Sequence, residues 1–198
     1  MTATFFLVRH AVHVLQDRVL VGRDDVPLSD EGRLQASRVA ERLATERLSL
    51  LHASPQLRTR ETAGFIADRT GLPVEIASAL AEVDLGRWTG RSRQDLAGDP
   101  DWKQWNEART VARVPGGETM LEVQLRVVDH IDALRRTHDD GRIAVVSHGD
   151  VIRAAVLYYL GVSIADFDRV EIDPASITTL VVGDWGARIV AMNERVQR

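Results

Sequence analysis

A chain of 198 residues, 44% of them hydrophobic, can bury a substantial core and needs no disulfide or metal staple to fold. It has no cysteine, which excludes disulfides and thiolate-bound zinc and fits a reducing cytoplasm. A net charge of −4 argues against a nucleic-acid groove, and no apolar stretch approaches a membrane span. The apolar run at Phe5–Val8 follows no basic segment and is too short for a signal peptide.

The first element is Thr4-Phe5-Phe6-Leu7-Val8-Arg9-His10, an apolar run that stops at a cation and an imidazole. It predicts the central strand of a parallel sheet, covered on both faces, with Arg9 and His10 at the lip where α/β sheets bind ligands. Residues 11–28 lack a helical period and contain Gly22 and Pro27, so they form a loop over the strand ends. Ser29 then caps a helix to about Arg47, with Ala36, Val39, Ala40 and Leu43 on its apolar face. A second strand covers residues 48–53. Ser54-Pro55 opens the next helix as cap and first residue, and Gly71 closes it, with Pro73 beyond.

Val74–Ala77 is a short strand near an edge. From about residue 80 to 115 glycines and prolines punctuate the chain and Trp88, Trp102 and Trp105 gather. The simplest expectation is an insertion partly covering the crevice. Helix resumes near Glu118, with Leu121, Leu125, Val128, Ile131 and Leu134 on one side. Arg142–Ser147 is another buried strand, followed by His148-Gly149 and a helix with Asp150 near its start. Residues 177–182 and 187–191 form a closing hairpin. Strands alternating with helices predict a single domain over 1–198, a three-layer α/β/α sandwich around a mostly parallel sheet.

Groups suited to phosphate stand just after strands at four places: Arg9-His10, Arg58 in the first turn of a helix, Glu82, and His148. Taken singly, each has an ordinary structural explanation. Their shared position at the strand ends is what points to a site.

These segments resemble the histidine phosphatase superfamily, in the branch that holds phosphoglycerate mutases and small-molecule phosphatases. The resemblance rests on six blocks in order. Phe6–His10 is similar to the opening signature and Gly22–Ala36 to the block that follows it. Ser54–Ala63 matches S-P-x-x-R-x-x-x-T-A, and Glu82–Gly90 matches E-x-x-x-G-x-W-x-G. Gly116–Thr119 and Ser147–Gly149 complete the set.

The resemblance implies a phosphohistidine on His10, with Arg9, Arg58 and His148 holding phosphoryl oxygens as a ring of cations. Glu82 would serve as acid and then base, and Gln16, Gly22 and Gly149 as further substrate contacts. It implies no metal and no cofactor; a metal pair of His10 and His13 lacks a third ligand. The expected partner is a small phosphorylated metabolite, with no nucleic acid or membrane, and the family allows a homodimer.

The chain departs from the family's R-H-G-x-S/T-x-x-N at Ala11, His13 and Gln16. It also lacks the E-R-H-Y-G of the mutases, which favours hydrolysis over a mutase, and the intact acid Glu82 speaks against the other alternative, a silent phosphate-binding module. His13 is either a donor to the site or an exposed loop residue.

Overall fold

In the computed structural model, which describes residues 1–196, strand β1 (Thr2–Arg9) has two apolar faces at once. Pleating sends Phe5 and Leu7 to one side and Phe6 and Val8 to the other, and all four are essentially sealed from solvent. At roughly 1.5–3 kcal/mol for each large apolar side chain fully buried, such a strand is stable only with a layer on either side.

Helices α1 (Asp30–Ala44) and α2 (Leu57–Thr70) supply one layer, where Val39, Leu43, Ala63 and Ile66 meet Phe6 and Val8. Helices α4 (Met120–Thr137) and α5 (Gly149–Tyr159) supply the other, where Val123, Val127, Ile131 and Ile152 meet Phe5 and Leu7. The shorter α3 (Pro100–Glu107) starts on an Asp99 cap with Pro100 in its first turn.

The sheet adds β2 (Leu50–Ala53), β3 (Val74–Ile76), β4 (Arg142–Ser147), β5 (Ser176–Gly183) and β6 (Gly186–Arg195), in the order β3-β2-β4-β1-β5-β6. Strands β3, β2, β4 and β1 run parallel, whereas β5 and β6 join antiparallel. The fold is therefore the expected three-layer sandwich with a mostly parallel sheet. β1 is internal but not wholly in parallel company, because the closing hairpin lies directly against it.

Four local expectations are corrected. α1 stops at Ala44 and β2 begins at Leu50, so the connection is longer than the apolar pattern suggested. α2 starts at Leu57, and Ser54 does not cap it. On α4 the buried stripe is Met120, Val123, Val127, Val128, Ile131 and Leu134, while Leu121 and Leu125 face outward. The capping box of Thr119 and Glu122 sets where that helix starts and hence which face points in. Finally, the tryptophans do not line the crevice: Trp88 and Trp105 are buried in the core, with Trp102 edge-on to Trp88. No helix among the described residues is long and apolar enough to cross a membrane.

Candidate active site

The parallel register of β1 and β4 pairs Arg9 with Ser147, so His10 and His148 leave the sheet side by side, ring centroids 5.2 Å apart. His10 forms part of the floor of a cleft of about 400 Å³ at the carboxyl ends of the parallel strands, and His148 packs behind it, fully buried. His10 is 3% exposed. Its Nδ1–H donates to the carbonyl of Ala11 at 2.9 Å, which leaves Nε2 bare to accept from Arg58 Nε at 3.3 Å. Burial, then the charges of Arg58 and Arg9, hold its pKa well below 6.5. The imidazole is neutral, with its lone pair beside a cation.

Arg58 is fully buried in the first turn of α2, and the loop over residues 11–28 closes on it. Its Nη1 donates to the carbonyl of Asp24 at 2.9 Å and its Nη2 to that of Gly22 at 2.7 Å. The loop is pinned in return: Asp25 Oδ1 accepts the Leu57 N–H at 2.6 Å, capping α2 from a distance, and Glu61 Oε2 accepts the Leu28 N–H at 2.6 Å. Arg9 donates from Nη1 to the carbonyl of Ile172 at 2.6 Å, while its buried Nε has no partner.

Glu82 projects from the segment after a 3-10 turn at Ser78–Leu80. Its Oε1 accepts the Val83 N–H at 2.9 Å, and its Oε2 lies 3.7 Å from His148 Nδ1. Burial, reinforced by the charge of Asp150 and offset by Arg58, raises its pKa from 4.5 to about 7. A carboxyl so placed exchanges a proton readily near neutrality.

The Glu82 segment is clamped from behind. Arg126 donates to the carbonyls of Ala79 at 2.7 Å and Glu82 at 3.2 Å and pairs with Glu118, whose Oε2 accepts the Asp84 N–H at 3.0 Å. Gly117 lies against Asp84 so closely that a Cβ there would stand 2.0 Å from its carbonyl oxygen. This is the physical reason for a Gly-Gly-Glu stretch far from the cleft in sequence.

Of the other expected contacts, Gln16 lines the cleft with its Oε1 buried and unpartnered, and Gly149 lies beside Arg9. Gly22 borders the cleft while its carbonyl serves Arg58. His13 belongs to the cleft wall and is not an exposed loop residue: it is 6% exposed, its ring 5.5 Å from that of His10. Its Nδ1 accepts the Leu15 N–H at 3.3 Å, and burial, then Arg58 and Arg9, lower its pKa to about 4.

One electrostatic expectation is corrected. His148 is buried, and Arg58 Nη2 donates to its Nδ1 at 3.1 Å, so it cannot be a cation here; burial and the neighbouring charges hold its pKa well below 6.5. The ring of three cations is two guanidiniums and a neutral imidazole.

The sequence reading missed Ser54 and Gln56 beneath His148, and Arg93, Asp150, Arg153 and Asp173 around the rim. Arg93 and Asp173 come from irregular segments far apart in the chain, whereas Asp150 and Arg153 sit in the first turns of α5, directly after Ser147–Gly149. No group of three or more His, Asp or Glu side chains among the described residues is arranged to hold a metal ion.

Residues 5–195 match the histidine phosphatase superfamily (branch 1). Phosphoserine phosphatase 1 of Hydrogenobacter thermophilus is 31% identical over 85% of this chain and 81% of its own length. A probable phosphoglycerate mutase of an Enterobacter species is 30% identical over 88% of this chain and 83% of its own. Among solved structures, a mycobacterial glucosyl-3-phosphoglycerate phosphatase superposes with a TM-score of 0.86 at 28% identity, covering 98% of this chain and 100% of that one.

Proposed function

Because the chain belongs to the histidine phosphatase superfamily, branch 1, we propose that it hydrolyses small phosphate monoesters through a phosphohistidine on His10. The observation that carries the reading is the pairing of a bare, neutral His10 Nε2 with Arg58 on the floor of the cleft, with a carboxyl of pKa about 7 in its wall. Nε2 attacks phosphorus; as the P–O ester bond breaks, the Glu82 carboxyl delivers its proton to the leaving oxygen. Water then attacks the phosphohistidine, Glu82 takes the water's proton, and the P–N bond breaks to release phosphate. Phosphoryl transfer asks mainly for positioning and charge stabilisation, the work assigned to Arg9 and Arg58. His10→Ala should abolish turnover.

The rim suggests the substrate class. Arg18, Arg93 and Arg153 alternate there with Asp17, Asp150 and Asp173, which suits a small, charged metabolite better than an apolar one. Phosphoserine and glucosyl-3-phosphoglycerate, the substrates named for two similar proteins, therefore head the panel to be assayed for phosphate release. The likeness to a probable mutase supports a second reading, so the panel is run with and without 2,3-bisphosphoglycerate. Because Glu82-Val83-Asp84-Leu85-Gly86 stands where mutases have E-R-H-Y-G, we expect transfer to water. Efficient, bisphosphate-primed interconversion of 2- and 3-phosphoglycerate would overturn that choice.

We read residues 1–198 as one domain in which the segment from about 80 to 115 forms one cleft wall, through Glu82, Val83, Leu85 and Arg93. The cysteine-free composition supports a cytoplasmic location, to be checked by fractionation, and light scattering tests for the homodimer the family allows.

A further inference from the structure

Gln56 occupies the N-cap position of α2, where a short polar side chain would ordinarily accept a helix N–H. It makes no such bond, and Asp25 supplies the cap instead. The Gln56 side chain is 6% exposed and turned the other way, under the active site.

Its Oε1 accepts the Glu82 N–H at 3.3 Å, which identifies that end of the amide as the oxygen. The same oxygen accepts the Ser54 hydroxyl proton and lies 3.1 Å from His148 Nε2. A carbonyl oxygen only accepts, so Nε2 carries the proton. The Ser54 hydroxyl, 2.7 Å from Nε2, has spent its own hydrogen on Gln56 and is a second acceptor for it. On the far side of the ring, Arg58 Nη2 only donates, so Nδ1 is bare. Three elements that are remote in sequence (the β2–α2 turn, the end of β4 and the Glu82 segment) thus meet at one amide oxygen.

We propose that Gln56 is a positioning residue that fixes the His148 proton on Nε2 and so presents bare Nδ1 to Arg58 and Glu82. The inference rests on the phosphatase reading only for its consequence. With Nε2–H held by two acceptors, the one atom of His148 free to gain a proton when an anion enters is the atom that faces the site. A hydrogen-bond partner behind a functional imidazole sets its tautomer in this way. Without Gln56, the Ser54 hydroxyl is free to donate to Nε2; the proton then moves to Nδ1, where Glu82 Oε2 at 3.7 Å can accept it, and Arg58 Nη2 gives up Nδ1 and keeps the Gly22 carbonyl.

The test is long-range ¹H–¹⁵N correlation on ¹⁵N-histidine-labelled protein, with His148 assigned by substitution, in wild type, Gln56→Met and Gln56→Glu. Met keeps the length of Gln and removes the acceptor; Glu keeps the acceptor and adds charge. The expected results are Nε2–H in wild type, Nδ1–H in Gln56→Met, and Nε2–H with a raised His148 pKa in Gln56→Glu. Turnover by Gln56→Met should fall about 10- to 100-fold, as when the partner behind a ligating histidine is removed. Nδ1–H in wild type, or an unchanged tautomer in Gln56→Met, overturns the proposal. The tautomer readout needs no turnover. A wild-type protein that releases no phosphate would therefore sink the phosphatase reading and leave this result standing.

Discussion

Replacing Glu82 by Gln should trade activity for stability, and both changes can be sized. The folded protein raises this carboxyl from 4.5 to about 7, chiefly by burial and next by the charge of Asp150. At 1.36 kcal/mol per pH unit, ionised Glu82 costs the fold about 3 kcal/mol at pH 8. The raised pKa favours the fold fully below pH 4.5, and that advantage disappears as pH rises through 7. Glu82→Gln never ionises, so its denaturant midpoint should exceed wild type at pH 8 and converge with it near pH 4.5 and below. The same change removes the proton for the leaving group and should slow His10 phosphorylation by alkyl phosphates about 10²–10⁴-fold. p-Nitrophenyl phosphate, whose leaving group is stable as an anion, should phosphorylate His10 far less affected. Stopped-flow burst rates for both substrates, with chemical denaturation at the two pH values, check the argument. Equal slowing of both bursts, or no stability gain at pH 8, would refute it.

Arg58→Ala should cost about 10²–10³ in turnover, as for other preorganised donors. Arg58→Lys should not rescue it fully, because a single nitrogen cannot span the positions that the three nitrogens of the planar guanidinium reach on His10, Asp24, Gly22 and His148; normal kinetics for either variant would remove Arg58 from the site. Gly149→Ala would put a Cβ 3.2 Å from Arg9 Nε, so it should weaken phosphate inhibition with little change in melting temperature. Asp150→Asn removes a like charge near Glu82, so the alkaline limb of the burst rate should move to lower pH. Away from the cleft, His52 and His130 stack edge-on at 5.3 Å, and burial lowers both pKa values, that of His130 to about 4. Their stabilising effect is present above the unfolded value of 6.5 and is lost as pH falls from there through 4. A melting series over that range should be flatter for His130→Gln than for wild type.

The sequence by itself determined the layer architecture and which chain segments carry the candidate site. Short continuous apolar runs rich in aromatic and β-branched residues, at Phe5–Val8 and Ile143–Val146, read as strands covered on both faces, and a charged or polar residue ending such a strand lies at the sheet's lip. Arg9, His10, Arg58, Glu82 and His148 were legible for that reason and by their resemblance to a family. Local pattern failed where a boundary depends on a distant partner. Ser54-Pro55 has the local form of a helix cap, but Asp25 of the preceding loop caps α2, freeing Ser54 and Gln56 to lie beneath His148. Leu121 fits an apolar stripe by spacing, yet the capping box and the packing of α4 turn it outward. Protonation states also belonged to the tertiary structure. Whether His148 is a cation depends on burial and on Arg58 donating to its Nδ1, a contact across 90 residues of chain that periodicity cannot express.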